Sequence, residues 1–282
     1  VKILRYRDAD GDRTGVIVGG GVLNVSSRAP ELSDLRQAVT AAGRRRMAGL
    51  CAVGRPDVAL NDVTLLAPLH REARIFCVGR NFADHVAELS TAAEPPQPRV
   101  FLRTHESVVG PGQVLERPTS SETFDFEGEL AVVIGAVARA VPPEDALAHV
   151  AAYTCFDDGS VREFQRHTTT AGKNFDRSGA IGPWLVTADE IGDPEELELT
   201  TRLNGEVVQT ATMDRMIYPI HHVIAYLSLI TALLPGDVIS MGTPSGVGSS
   251  RTPPRWLREG DRLDIDITRV GVLSVVVEPP SA

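Results

Sequence analysis

Lysine is almost missing from this chain of 282 residues. Of its 28 basic residues only Lys2 and Lys173 are lysine, and the rest are arginine. Cysteine is sparse too: Cys51, Cys77 and Cys155 are too few and too scattered for a disulfide framework or a zinc knuckle. A surplus of positive charge is absent. The net charge of −9 argues against a nucleic-acid partner, which would need clustered basic residues. No apolar run approaches the roughly 20 residues of a membrane span. The opening stretch VKILRYRDAD holds no signal-peptide core, so the expectation is a cytoplasmic protein with no membrane partner. What is present is an ordinary globular mixture, 43% hydrophobic and 23% charged, long enough for one large domain or a large and a small one.

Residues 1–70 read as a small N-terminal α+β domain. VKILRYRD and TGVIVGGGVLNVSS are short strands separated by Gly and Asp turns. PELSDLRQAVTAAGRRRMAGL is an amphipathic helix with a basic end. Residues 71–282 form the second unit, in which strands predominate. RIFCVG, ELAVVIG, AAYTCFD, DVISMG, RLDIDITRVG and LSVVVE read as strands, and LELTTRLNGEVVQ as a hairpin turning at Asn204-Gly205. NFADHVAEL is a short helix, and IHHVIAYLSLITALL is the clearest helix, stopped by Pro235-Gly236. Without a strict βαβ alternation the fold class is α+β, mostly β, with a mixed sheet roll.

Two motifs fail on inspection. DADGDRTG starts like a calcium loop, but its sixth position is Arg13 rather than Gly and its twelfth is Gly19 rather than Glu. GTPSGVGSS is glycine-rich but lacks the Lys-Ser/Thr of a phosphate loop; it leaves room for a close approach of backbone to a ligand.

The stretch FDFEGELAVVIG, 124–135, carries the chemistry. Asp125, Glu127 and Glu129 alternate, so on a strand they line one face, which Ala131 and Val133 continue into core. Unpaired buried carboxylates cost several kcal/mol each. A hard divalent cation would make the cluster favourable. A third ligand could come from Asp157 or Asp158, at the end of AAYTCFDD, and alternation does not choose between them. In GSVREFQRH, Ser160 and Glu163 have capping-box spacing, which predicts a helix starting at Ser160. Arg162 and Gln165 then share a face and suit a carboxylate-bearing substrate. In CVGRNFADHVAEL, His85 and Glu88 are also three apart, the make-up of a general base near neutral pH.

In order along the chain, CVGRNFADHVAE, VVGPG, FEGELAVVIG, YTCFDDGSVREFQ, GKNFD with GPWLVT, LNGEVVQ and PGDVISMGTPSGVG resemble the fumarylacetoacetate hydrolase family, over roughly residues 70–278. The resemblance implies that family's mixed β-roll, assembled as a homodimer. It implies magnesium or manganese on Glu127, Glu129 and Asp158, and a small-molecule 2-oxo or β-dicarbonyl acid as substrate. It gives His85, oriented by Glu88, the role of activating water. Lys173 becomes the stabiliser of oxyanion charge, Arg162 and Gln165 substrate supports, and Thr243 a contact for the substrate carboxylate; Arg80 is a further pocket candidate. A lysine retained where arginine has displaced nearly all others marks a place for a compact ammonium. The expected reaction is hydrolysis of a C–C bond in an acylpyruvate-like acid. The alternatives on the same metal site are decarboxylation of a 2-oxo diacid and isomerisation of an unsaturated 2-hydroxy diacid. Departures from the family pattern are Asp157 for Asn, Gly159 for Val, Met241 for Thr and Arg215 for Asp, all expected near the pocket.

Overall fold

A computed structural model describes residues 1–89 and 94–280. Strands dominate, and they form one large sheet, a smaller one and an isolated pair. In the 12-stranded sheet the main path runs Val58–Ala59, Gly21–Asn24, Gly11–Val18, Lys2–Asp8, Gly179–Thr187, Val150–Asp157, Gly128–Ile134, Val238–Ser240, Ile75–Gly79 and Arg99–Arg103. A five-stranded sheet orders Glu206–Thr212, Glu198–Leu203, Arg262–Ile267, Gly271–Glu278 and Val114–Glu116. Most pairings are antiparallel, but Val238–Ser240 runs parallel to Ile75–Gly79, so the large sheet is mixed as expected.

The strand Gly128–Ile134 is buried at every position because it lies between two cores. Leu130, Val132 and Ile134 face the cluster shared with Leu199, Leu203, Ile265 and Leu273 of the smaller sheet. Ala131 and Val133 face the opposite cluster, which also contains Ile3, Val16 and Leu23. Two-sided burial accounts for the unbroken apolar run ELAVVIG in place of an alternating one. The N-terminal strands hydrogen-bond into this same large sheet, with Lys2 opposite Val186 and Ile3 opposite Leu185. Among the described residues no helix is long and apolar enough to cross a membrane.

Local polar chemistry corrects two expected elements. The single helix expected over PELSDLRQAVTAAGRRRMAGL is divided into Pro30–Ser33, Leu35–Ala38 and Ala41–Val53. Asp34 accepts a hydrogen bond from the Arg36 amide and Thr40 one from the Gly43 amide, so each restarts the chain as a new N-cap. The helix expected at Ser160 starts instead at Arg162. Ser160 and Val161 pair as a strand with Asp125 and Phe124, and the Ser160 hydroxyl donates to the Asp158 carbonyl.

Gly128 is one of the points where the two sheets touch. Its amide donates to the Gln209 side chain, and its carbonyl accepts from the Thr243 hydroxyl. A Cβ there would lie 2.1 Å from Oγ1 of fully buried Thr201. Gly128→Ala should therefore destabilise the protein by about 1–3 kcal/mol through overpacking. Urea unfolding is the check, and an unchanged midpoint would refute this account of the contact.

Candidate active site

Ladder register decides which aspartate joins the glutamates. Gly128 lies opposite Asp157 in the antiparallel pair, so the next residues along, Glu127 and Asp158, face each other. The Asp158 amide donates to the Glu127 carbonyl at 2.9 Å, which continues the ladder by one step. Residues directly opposite on a sheet have Cβ atoms about 4.5–5.5 Å apart. Glu129 is two residues on from Glu127 and shares its face. As a result, Glu127, Glu129 and Asp158 converge, with one oxygen from each lying within 4.8 Å of the others. All three are buried. Asp157 points away from the cluster and accepts the Glu127 amide at 3.1 Å.

Asp125 does not extend this set. The strand is interrupted after Asp125, which pairs with Ser160 while Gly128 pairs with Asp157. The Asp125 carboxylate accepts from the Gly248 and Ser249 amides at 2.7 and 2.9 Å and from Arg162 Nε at 2.8 Å. It anchors the glycine-rich loop to the helix that carries Arg162.

Three cations answer the acids. Lys173 is 1% exposed, and its Nζ donates to Glu127 Oε2 and Asp158 Oδ2, each at 2.6 Å, and to the Asp158 carbonyl at 2.8 Å. Arg162 lies 2.6 Å from Glu127 Oε1 and donates to Gln165 at 3.0 Å, so the Arg162–Gln165 pairing expected from helical spacing forms. Arg103 was not singled out in the sequence. It donates to Asp158 Oδ1 at 2.8 Å, to the Gly159 carbonyl, to Ser178 and twice to Ser107. Gly159, a departure from the family pattern, makes room beside it: a Cβ would lie 1.9 Å from the Ser178 carbonyl. Two other departures lie elsewhere, contrary to expectation. Met241 packs in the main core, where the Leu130 carbonyl takes its amide, and Arg215 is exposed and away from the cleft.

Charge does not balance within this group. Asp125, Glu127, Glu129, Asp157 and Asp158 are five carboxylates, and the cations paired with them are three. If all are ionised, two negative charges are left over. Burial opposes charge on Glu127, but Lys173 and Arg162 outweigh it and bring that carboxyl down to about 2. Glu129 is pushed well above the usual carboxylate range by burial and by its acidic neighbours Asp158 and Glu127. Burial lifts Asp157 to about 7, and its Oδ2 has no hydrogen-bond partner among the described residues. An all-oxygen, buried donor set within a group that carries two excess negative charges when ionised suits a hard divalent cation.

The dyad lies in the same cleft as the triad. His85 Nδ1 meets Glu88 Oε1 at 2.6 Å. Burial raises the Glu88 carboxyl, but the bonds from His85, the Gly246 amide and the Ser250 hydroxyl hold it below its usual range. Those bonds fix the His85 ring with Nδ1 toward Glu88 and leave Nε2 for proton exchange. His85, the triad, Arg162, Gln165, Lys173, Thr243 and Arg80 all line one cleft of about 1270 Å³. Thr243 is spoken for within the protein: its hydroxyl donates to Gly128 and accepts from Gln209 at 2.7 Å. The loop GTPSGVGSS is held by carboxylates, with the Gly242 amide on Glu129, Gly246 on Glu88, and Gly248 and Ser249 on Asp125.

Two predictions come from this charge pattern. Arg103→Met strands a buried Asp158 oxygen and should cost about 3–5 kcal/mol of stability. Denaturant titration in the presence of chelator checks it, and a loss under about 1 kcal/mol would make Arg103 an ornament. Asp157, with a folded value raised from 3.8 to about 7, binds a proton more tightly folded than unfolded. Its stabilising effect is complete at low pH and is lost as pH rises through that window. The slope is up to about 1.4 kcal/mol per pH unit. In metal-free protein, the stability difference between Asp157→Asn and wild type should widen from acid toward neutral pH and level off above. Parallel pH curves for the two proteins would show that Asp157 is already ionised.

Comparison with known proteins agrees with the resemblance. The family description Fumarylacetoacetate (FAA) hydrolase C-terminal matches residues 74–278. A human mitochondrial oxaloacetate tautomerase is 37% identical over 266 residues, which span 90% of this chain and 83% of that protein. The oxaloacetate tautomerase of Bacillus subtilis (strain 168) is 41% identical over 223 residues, 77% of this chain and 73% of its own. A maleylpyruvate hydrolase from Sphingobium, solved with manganese(II) and pyruvate, superposes with a TM-score of 0.83 at 26% identity over 100% of both chains. With that family description matched over residues 74–278 and relatives 37% and 41% identical over most of its length, the chain belongs to the fumarylacetoacetate hydrolase family.

Proposed function

We propose that the protein is a magnesium- or manganese-dependent enzyme that interconverts the enol and keto forms of a short 2-oxo diacid of the oxaloacetate type. The observation that carries this is the shared cleft: an oriented His85–Glu88 dyad opens onto the same space as a buried, convergent carboxylate triad. The tautomerase relatives, at 37% and 41% identity, favour this reaction over C–C cleavage. Bound by Glu127, Glu129 and Asp158, the cation would act as a Lewis acid on the 2-oxo oxygen and stabilise enolate charge.

The chain's own groups supply the proton traffic. His85 Nε2 takes the proton from the enol hydroxyl, and C3 is protonated from His85 in the keto direction; the reverse path removes the C3 proton. Glu88 holds Nδ1–H and stabilises the imidazolium between the two transfers. Lys173 has all three of its hydrogens committed to Glu127 and Asp158. It balances the triad, and it can stabilise oxygen charge on the substrate only by giving up one of those bonds. Gln165 keeps its amide nitrogen for substrate, because its oxygen already receives Arg162.

Hydrolysis of an acylpyruvate-like acid is the second reading. A carboxylate-oriented histidine is also what water activation requires, and the maleylpyruvate hydrolase shares the fold. The two reactions separate in one set of assays. Decay of the enol absorbance of oxaloacetate should be accelerated by wild-type protein with magnesium or manganese and abolished by chelator. His85→Ala should slow it by about 10²-fold or more. Glu88→Gln should slow it less, and Lys173→Arg by at least about tenfold, or 1.4 kcal/mol in barrier. Acylpyruvates in ¹⁸O-labelled water should yield no labelled carboxylic acid. Rapid labelled cleavage without enol turnover would replace the tautomerase reading with hydrolysis.

A further inference from the structure

The buried triad forms the floor of the cleft, and its mouth carries a charge of the opposite sign. Arg80, Arg99 and Arg166 all line the cleft; Arg80 is half-buried and the other two are exposed. None of their side chains has a hydrogen-bond or ion-pair partner among the described residues. In a chain of net charge −9 this sets them apart from Arg103 and Arg162, which are tied to buried carboxylates. The acids lining the same cleft mouth are engaged: Glu122 receives Arg117 and Arg258, and Glu163 receives the Ser121 hydroxyl.

Each arginine is placed by its backbone. Arg99 lies opposite Gly79 in the ladder between Ile75–Gly79 and Arg99–Arg103, so it neighbours Arg80 across the sheet edge. Arg80 is held in the left-handed region at φ 59°, a conformation uncommon for a residue with a side chain. Fully buried Asn81 fixes it there through bonds to the Tyr218 amide and carbonyl and the Met241 carbonyl. Arg166 continues the helix Arg162–Gln165 in helical geometry. Four residues on from Arg162, it shares that residue's face one turn away, about 5.4 Å along the axis. Burial and then the charge of Arg99 hold the Arg80 guanidinium below its usual range, which marks a repulsion that an anion would relieve.

We infer that Arg80, Arg99 and Arg166 form an anion-recognition rim that holds the far carboxylate of a dianionic 2-oxo acid, and so selects diacids over 2-oxo monoacids. The inference rests on the proposed function in placing the 2-oxo end of the substrate at the triad. Guanidinium groups suit this task because their planar fork meets a carboxylate through two parallel hydrogen bonds.

Calorimetric titration of manganese-loaded protein with 2-oxoglutarate and with 2-oxopentanoate, acids of equal chain length, tests the rim by binding alone. Wild type should favour the diacid by at least about tenfold, equivalent to 1.4 kcal/mol. Arg99→Gln and Arg166→Gln, both at exposed positions that leave the fold intact, should together shrink that preference about tenfold, and Arg80→Gln should shrink it as well. No preference in wild type, or a preference that survives all three substitutions, overturns the inference. Preferential diacid binding by a protein that turns over no enol would defeat the proposed function and leave the rim standing. An active tautomerase with no diacid preference would do the reverse.

Discussion

Mutual repulsion among Glu127, Glu129 and Asp158 is the constraint around which this site is built. Strand register forces Glu127 and Asp158 into facing positions, and alternation adds Glu129 on the same side. Like charges directly opposite on a sheet are destabilising, and burial removes the water that would screen them. The surroundings respond at three levels. Lys173 bridges two of the acids, Arg103 and Arg162 take their remaining oxygens, and Glu129, which has no cation of its own, accepts from the Ser240 hydroxyl and the Gly242 amide. What these leave unneutralised is what a divalent ion would supply.

The loop Gly242–Ser250 transmits this arrangement to the dyad. A glycine-rich turn exposes amide hydrogens, and in a phosphate loop those hydrogens hold the ligand. Here the protein's own carboxylates take them: Glu129 at one end, Glu88 in the middle and Asp125 at the other. A glycine at 246 is required for the close approach, because a Cβ would lie 2.2 Å from the Val208 carbonyl and φ there is +102°. The loop thus joins a triad acid to the acid bonded to His85, so the spacing between triad and dyad is set by one short segment.

Much of this was legible in the sequence, and the misses share a physical cause. Strand identities, the Asn204-Gly205 hairpin, the helix expected over 220–234, which forms over Ile220–Ile230 and ends before the proline, and the His85–Glu88 spacing follow from local periodicity and turn chemistry, which act over a few residues. Asp158 could not be separated from Asp157 by residue pattern, because that choice depends on which residue Gly128 faces across the ladder. Arg103 gave no signal at all; it is one arginine among many until tertiary structure brings Ser107, Ser178 and Asp158 around it. Asp125 was expected to share the face of Glu127 and Glu129 because alternation was extended across a break in the strand. Ser160 and Glu163 had capping-box spacing, but pairing with Phe124–Asp125 claimed Ser160 for a strand first.

The near-absence of lysine becomes informative when donors are matched to acceptors. Arg103 makes five hydrogen bonds, the full complement of a guanidinium, to acceptors spread around its plane: Ser107 twice, Ser178, Gly159 and Asp158. Arg162 likewise spans Asp125, Gln165 and Glu127, a spread that a planar fork can cover. Lys173 faces a different geometry. Glu127 Oε2, Asp158 Oδ2 and the Asp158 carbonyl converge on a single point at 2.6–2.8 Å. An ammonium meets three converging acceptors with three hydrogens from one atom, whereas a guanidinium would have to push them apart. At Arg103 and Arg162 the acceptors diverge, and the residue is arginine. At the triad they converge, and there it has kept a lysine.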